Sequence, residues 1–142
     1  MRSHSIVVAA ALGLLMVTVP GTAQAEVPQH HVTLTGAREA PGPGDPNGSG
    51  EFSWSVDGTR LCYLLTSKRI GTPAAAHIHK APVGSPGPVK VELVAPAPKS
   101  SAACVTIGAR LAGNLKDHPR RFYVNVHTAV YPNGAIRAQL RR

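Results

Sequence analysis

The sequence predicts an all-β domain, on three observations. Apolar and polar residues alternate along several stretches of five to seven residues, which is the period of a half-buried strand. Turn chemistry built on Gly, Pro, Asn and Asp recurs at roughly 8 to 12 residue intervals, the spacing of a sandwich or small barrel. Only one short stretch, Ala109 to Leu115, suits a helix, and Pro119 stops it after one or two turns.

In chain order, Val32 to Leu34 starts the first strand, and the run Gly42-Pro43-Gly44-Asp45-Pro46-Asn47-Gly48-Ser49-Gly50 must be a loop. Phe52, Trp54 and Val56 then alternate with Glu51, Ser53 and Ser55, and Asp57-Gly58 turns this strand into Leu61-Cys62-Tyr63-Leu64-Leu65. That run is apolar on both faces and reads as central. Ala75 to His79 forms a fourth strand. Val89, Val91 and Leu93 alternate with Lys90 and Glu92 in a fifth, and Cys104 to Ile107 makes a sixth. Phe122, Val124 and Val126 alternate with Tyr123, Asn125 and His127, and Pro132-Asn133-Gly134 joins that strand as a hairpin to Ile136, Ala138 and Leu140. With six aromatic residues in all, the core has to be built mainly from Val, Leu, Ile and Ala.

The first 25 residues are expected to be removed. Arg2 precedes a 14-residue apolar run from Ile6 to Val19, and Pro20-Gly21 leads into Ala23-Gln24-Ala25, a small-x-small cleavage pattern. A membrane-spanning helix takes about 20 residues, so this is a signal segment and not an anchor. Residues 26–142 are then one extracytoplasmic domain. Export makes a Cys62–Cys104 disulfide the default, closing a loop worth about 4 kcal/mol in chain entropy.

Loss of Arg2 leaves 14 basic against 7 acidic residues, a charge of +7. Such a surface attracts polyanions. Specific nucleic-acid binding would need aromatic residues interleaved with the charge, whereas the cluster Lys116, His118, Arg120, Arg121 has only Phe122 and Tyr123 beside it. A solvated basic face is the leading reading, and of polyanion partners an anionic cell-envelope polymer is expected before DNA; the sequence specifies no protein partner.

The residues that carry chemistry are histidines. On a strand, His77 and His79 emerge side by side while Ile78 goes to the core, an arrangement that suits Zn or Cu. The same parity puts His127 with Asn125 and Tyr123, opposite Val124 and Val126. If the two strands are neighbours, His77, His79 and His127 converge on one site with Asn125, Tyr123 and Arg137 at its edge. The fixed charge of Arg137 would oppose a cation, and a hydrogen-bonded polar cluster or a small anion site are the competing readings. Asp45, Asn47 and Ser49 match the first half of a calcium loop, but Val56 stands where its Glu belongs, so this is a turn. His30 and His31 fall in an expected loose N-terminal segment. No nucleophile motif or carboxylate pair is present, and the sequence favours a binding or structural module over a metal-dependent extracellular enzyme.

Taken in order, Leu61-Cys62-Tyr63, Ala75-Ala76-His77-Ile78-His79, Gly87-Pro88-Val89, Phe122-Tyr123-Val124-Asn125-Val126-His127-Thr128 and Tyr131-Pro132-Asn133-Gly134-Ala135-Ile136-Arg137, together with the Pro41 to Gly50 loop, resemble the CHRD domain, named for chordin. The resemblance covers about residues 32 to 140. It implies an antiparallel β-sandwich, immunoglobulin-like or superoxide-dismutase-like, in an exported protein, and it brings no settled activity. The family's usual Gly after the hairpin Arg is Ala138 here. A dismutase-like site would need six imidazoles and a carboxylate, and three of the six histidines beyond residue 25 lie outside the matching motifs, so dismutase activity is not expected.

Overall fold

The structure is a computed structural model that describes residues 28–142, and the expected signal segment lies outside them. Eight strands form: β1 His30–Thr35, β2 Ser49–Asp57, β3 Arg60–Lys68, β4 Pro73–Lys80, β5 Val89–Leu93, β6 Ser100–Thr106, β7 Phe122–Thr128 and β8 Ile136–Gln139. One helix, α1 (Ala109–Asp117), packs Ala112 and Leu115 inward and is followed by a 3-10 turn over Pro119–Arg121. The all-β expectation holds. His30 and His31 are not loose: β1 begins at His30, whose ring packs on Trp54 at 4.6 Å between centroids. β6 starts four residues earlier than the sequence suggests, because Ser100, Ser101, Ala102 and Ala103 carry no apolar alternation and take their strand from pairing with β3.

Hydrogen bonding joins all eight strands into one antiparallel sheet, in the order β5-β4-β7-β8-β1-β2-β3-β6. The sandwich expectation is therefore met only at the level of an antiparallel β fold, since no ladder boundary separates two sheets. The reason is one bridge. β1 and β8 pair through Thr35 and Arg137 alone, whereas β2 and β3 pair along nine positions. The sheet so consists of two four-stranded halves hinged at Thr35–Arg137, curled until the far ends approach each other. There the Val94 amide, just past β5, donates to the Tyr63 hydroxyl of β3 at 2.8 Å, and the Ser101 hydroxyl of β6 donates to the Val94 carbonyl at 2.7 Å. The result is nearly a barrel.

The inner faces of both halves meet in one core. Val32, Leu34, Phe52, Trp54, Leu61 and Leu65 come from the β1-β2-β3-β6 half, and Ile78, Val91, Leu93, Val124, Val126 and Ile136 from the other. Strand parity dictates this, because every second residue must face inward. By the same parity Cys62 and Cys104 lie on the outer face, directly opposite one another in the β3–β6 ladder, and they are disulfide-bonded. On the other half, parity sends His77, His79, Tyr123, Asn125, His127, Arg137 and Gln139 outward together. β4, β7 and β8 are consecutive in the sheet, and the ladder aligns His77 with Asn125 and Asn125 with Arg137.

Candidate metal centre

An outward-facing row of polar residues is ordinarily solvated, but this one is covered. His79 is 8% exposed, Asn125 2% and Arg137 1%. The loop between β4 and β5 and the β7–β8 hairpin supply the cover, and each also supplies hydrogen-bond acceptors. The Gly87 carbonyl lies 2.8 Å from His79 Nδ1, and the Pro132 carbonyl 2.9 Å from His127 Nδ1. On the open side the Glu92 carboxylate, paired across the ladder from His77, lies 2.9 Å from His77 Nε2. Gly87 is needed for this approach, since a Cβ there would collide with the Lys80 carbonyl.

Each of these acceptors suits the N–H of one ring nitrogen, and in the tautomer set that satisfies all three, His79 Nε2, His127 Nε2 and His77 Nδ1 carry the lone pairs. One nitrogen from each of the three rings lies within 4.8 Å of the others. His77 Nδ1 and His127 Nε2 are 3.1 Å apart, and the Asn125 amide oxygen is also 3.1 Å from His127 Nε2. His79 Nε2 is buried and makes no hydrogen bond among the described residues. In that tautomer set three imidazole lone pairs converge beside the Asn125 amide, whereas a proton on His77 Nδ1 would turn its contact with His127 Nε2 into a hydrogen bond. Such a set is stabilised by a proton or a cation.

Burial holds His79 and His127 below the ordinary imidazole range, and the adjacent His77 pushes the same way. Neutral rings are the form that binds a metal. Arg137 does not enter the cluster. Its guanidinium carbon lies 3.4 Å from the centroid of the Tyr123 ring, and its Nη2 donates to the Pro82 and Ser85 carbonyls at 3.2 and 2.9 Å. His79 stacks parallel to the same ring at 4.7 Å. Because β4 and β8 flank β7 on opposite sides, the tyrosine ring stands between the cation and the imidazole.

Against protein-family models, residues 31–140 match the CHRD domain. The chain belongs to the CHRD family. No curated protein and no solved structure matches it. Within this CHRD domain the residues singled out from sequence, His77, His79, His127, Asn125, Tyr123 and Arg137, all lie on one covered patch. Ala138 points into the core, fully buried, so the extra methyl relative to Gly adds inner packing.

Sequence reasoning missed the three acceptors and one further charge. Glu92 could have been found, because strand alternation already put it on the polar face of β5; what the sequence did not show is that β5 pairs with β4 and not elsewhere. The carbonyls of Gly87 and Pro132 carry no side-chain signal. Glu39 borders the patch from the loop after β1. Its carboxyl is raised to about 7 by burial, against the pull of Arg137, and a Cβ on Gly134, at φ +136, would run into it.

Proposed function

We propose that this chain is an exported binding module whose His77, His79 and His127 hold a single Zn or Cu ion. The observation that carries the reading is the orientation of the rings. All three have one nitrogen fixed by a carbonyl or carboxylate acceptor and the other turned toward the cluster, which is the outer-shell arrangement that positions metal-bound imidazoles. The 3.1 Å between His77 Nδ1 and His127 Nε2 is also close to the separation of two nitrogens that each bond one ion at about 2.0 to 2.1 Å. Asn125 offers an oxygen beside them, and Glu92, exposed next to the mostly covered His77, marks the side open to solvent.

Export rests on the signal-like segment at residues 1–25 and on the Cys62–Cys104 disulfide, which persists in an oxidising compartment. The deciding experiment is elemental analysis of protein purified from its own compartment, beside His77→Ala and His127→Ala. One equivalent of Zn or Cu in the wild type, lost in both variants, supports the proposal. Sub-stoichiometric metal in the wild type, with added Zn failing to raise its melting temperature, overturns it.

A further inference from the structure

Away from the histidines, the surface beside the end of β8 carries three adjoining clefts of about 400, 300 and 370 Å³. Arg120 and Arg141 wall the first and the second, and Val83, Gln139 and Arg141 wall the second and the third. Shared walls make them one trough. Arg121 and Arg142 line one end, Arg38 lines the other, and Arg137 is buried in the wall beside it.

The composition of this trough is unlike the rest of the surface. Six of the chain's ten arginines line it and none of its five lysines does, with Asp117 and Glu39 as the acidic residues among the described lining. Three of these arginines are already engaged: Arg142 donates to the Lys116 carbonyl at the end of α1, Arg137 to the Pro82 and Ser85 carbonyls, and Arg38 to the Thr33 carbonyl. Arg120, Arg121 and Arg141 are exposed, and their side chains make no hydrogen bond or ion pair among the described residues. Gathering like charges in one concavity costs Coulomb energy that dispersal would avoid, and it raises the local concentration of anions. Arginine in particular presents a planar fork that matches the two oxygens of a phosphate or carboxylate.

We propose that this trough binds a linear polyanion, whose repeating phosphate or carboxylate groups are met in turn by Arg38, Arg141, Arg120 and Arg121. A trough walled at successive points by separate guanidiniums suits a chain of charges better than one ion. The trough adjoins the histidine patch at Arg137 and Glu39, but Arg38, Arg120, Arg121 and Arg141 lie outside that patch and the test needs no metal.

Binding is measured by fluorescence anisotropy with labelled inorganic polyphosphate, and by competition with polygalacturonate, free orthophosphate and duplex DNA. The wild type is compared with Arg120→Ala/Arg141→Ala and with Lys68→Ala/Lys99→Ala, which removes the same charge elsewhere. The arginine pair is expected to weaken polymer binding by at least about tenfold. It should also flatten the logarithmic salt dependence by about 1.4, at about 0.7 per charge lost. The lysine pair should change neither by more than about twofold. Polyphosphate and polygalacturonate, compared directly, identify the preferred oxyanion. Equal losses in the two double variants, orthophosphate competing as well as polymer, binding of duplex DNA in preference to both, or no binding at all would each overturn the proposal.

Discussion

The two halves of the sheet obey the same parity and use their outer faces differently. On the β1-β2-β3-β6 half the outward residues include Thr33, Glu51 and Leu64, all exposed, and the closed feature is covalent, the bond between Cys62 and Cys104. On the β5-β4-β7-β8 half the outward residues include His79, Tyr123, Asn125 and Arg137, all buried under loops. Burying such groups costs free energy unless every polar atom is matched, and here His79 Nε2, Arg137 Nη1 and Gln139 Oε1 are not matched, against Ser55 Oγ on the outer face of the first half. A surface that departs from what stability alone favours is where function is to be sought. The first outer face is held together; the second is held ready.

Breaking the covalent feature should have the largest effect. Cys62→Ala/Cys104→Ala is expected to cost about 4 kcal/mol, from the loss of a 42-residue constraint on the unfolded chain. Chemical denaturation reads this as a lowered midpoint. Because the bond lies in the other half of the sheet, Zn affinity of the folded variant should stay within about threefold of the wild type; a larger loss would show that the halves are coupled through the core.

Arg137→Ala should cost about 3 kcal/mol, since it strips the Pro82 and Ser85 carbonyls of a charged donor and removes the cation from the Tyr123 face. Thr33→Ala, at an exposed outward position on β1, should stay within about 0.5 kcal/mol. The contrast fails if the two variants have equal denaturation midpoints.

Much of this contrast was legible in the sequence, and the illegible part has a physical cause. Alternation placed β2, β5, β7 and β8, an unbroken apolar run placed β3, and Pro132-Asn133-Gly134 paired β7 with β8, because those signals are local. Parity then placed His77, His79 and His127 on outward faces. What local signals do not hold is strand order: that β4 lies between β5 and β7 follows from how the whole sheet closes, and only that order brings Glu92 to His77 and His127 to His77. The single Thr35–Arg137 bridge, which makes one nearly barrel-shaped sheet of two expected layers, is equally nonlocal. Loop carbonyls such as that of Gly87 leave no residue-type trace at all.

Metal should stabilise the fold only where the histidine site is intact. Zn at about a hundred times its dissociation constant is expected to add about 2.7 kcal/mol to unfolding of the wild type and nothing to that of His127→Ala. Amides that exchange by global unfolding should gain this protection in both halves, whereas amides that exchange by local opening should gain it in β4 and β7 and not in β2 and β3. Equal stabilisation of His127→Ala by Zn would point to binding elsewhere.

The smallest effect belongs to Glu39, at the border of the covered patch. Burial raises its carboxyl from 4.5 to about 7, so between those values the folded protein keeps a proton that the unfolded chain has released. The state binding more protons is favoured at low pH, hence this group's contribution to stability is complete below about pH 4.5 and is lost as pH rises through about 7. Its carboxyl is partly screened by solvent, which brings the expected change to about 1 kcal/mol. Glu39→Gln keeps the neutral shape at every pH and should flatten that portion of the stability profile. His79 and His127 act in the opposite sense: their lowered values make the unfolded chain the better proton acceptor, so their contribution falls as pH drops below about 6.5. Denaturation midpoints of wild type and Glu39→Gln, compared from pH 4.5 to 8, separate the two, since the variant retains the histidine slope and loses only the carboxyl one. Parallel profiles for the two proteins would mean that Glu39 is ionised in the folded state throughout, paired with Arg137 after all.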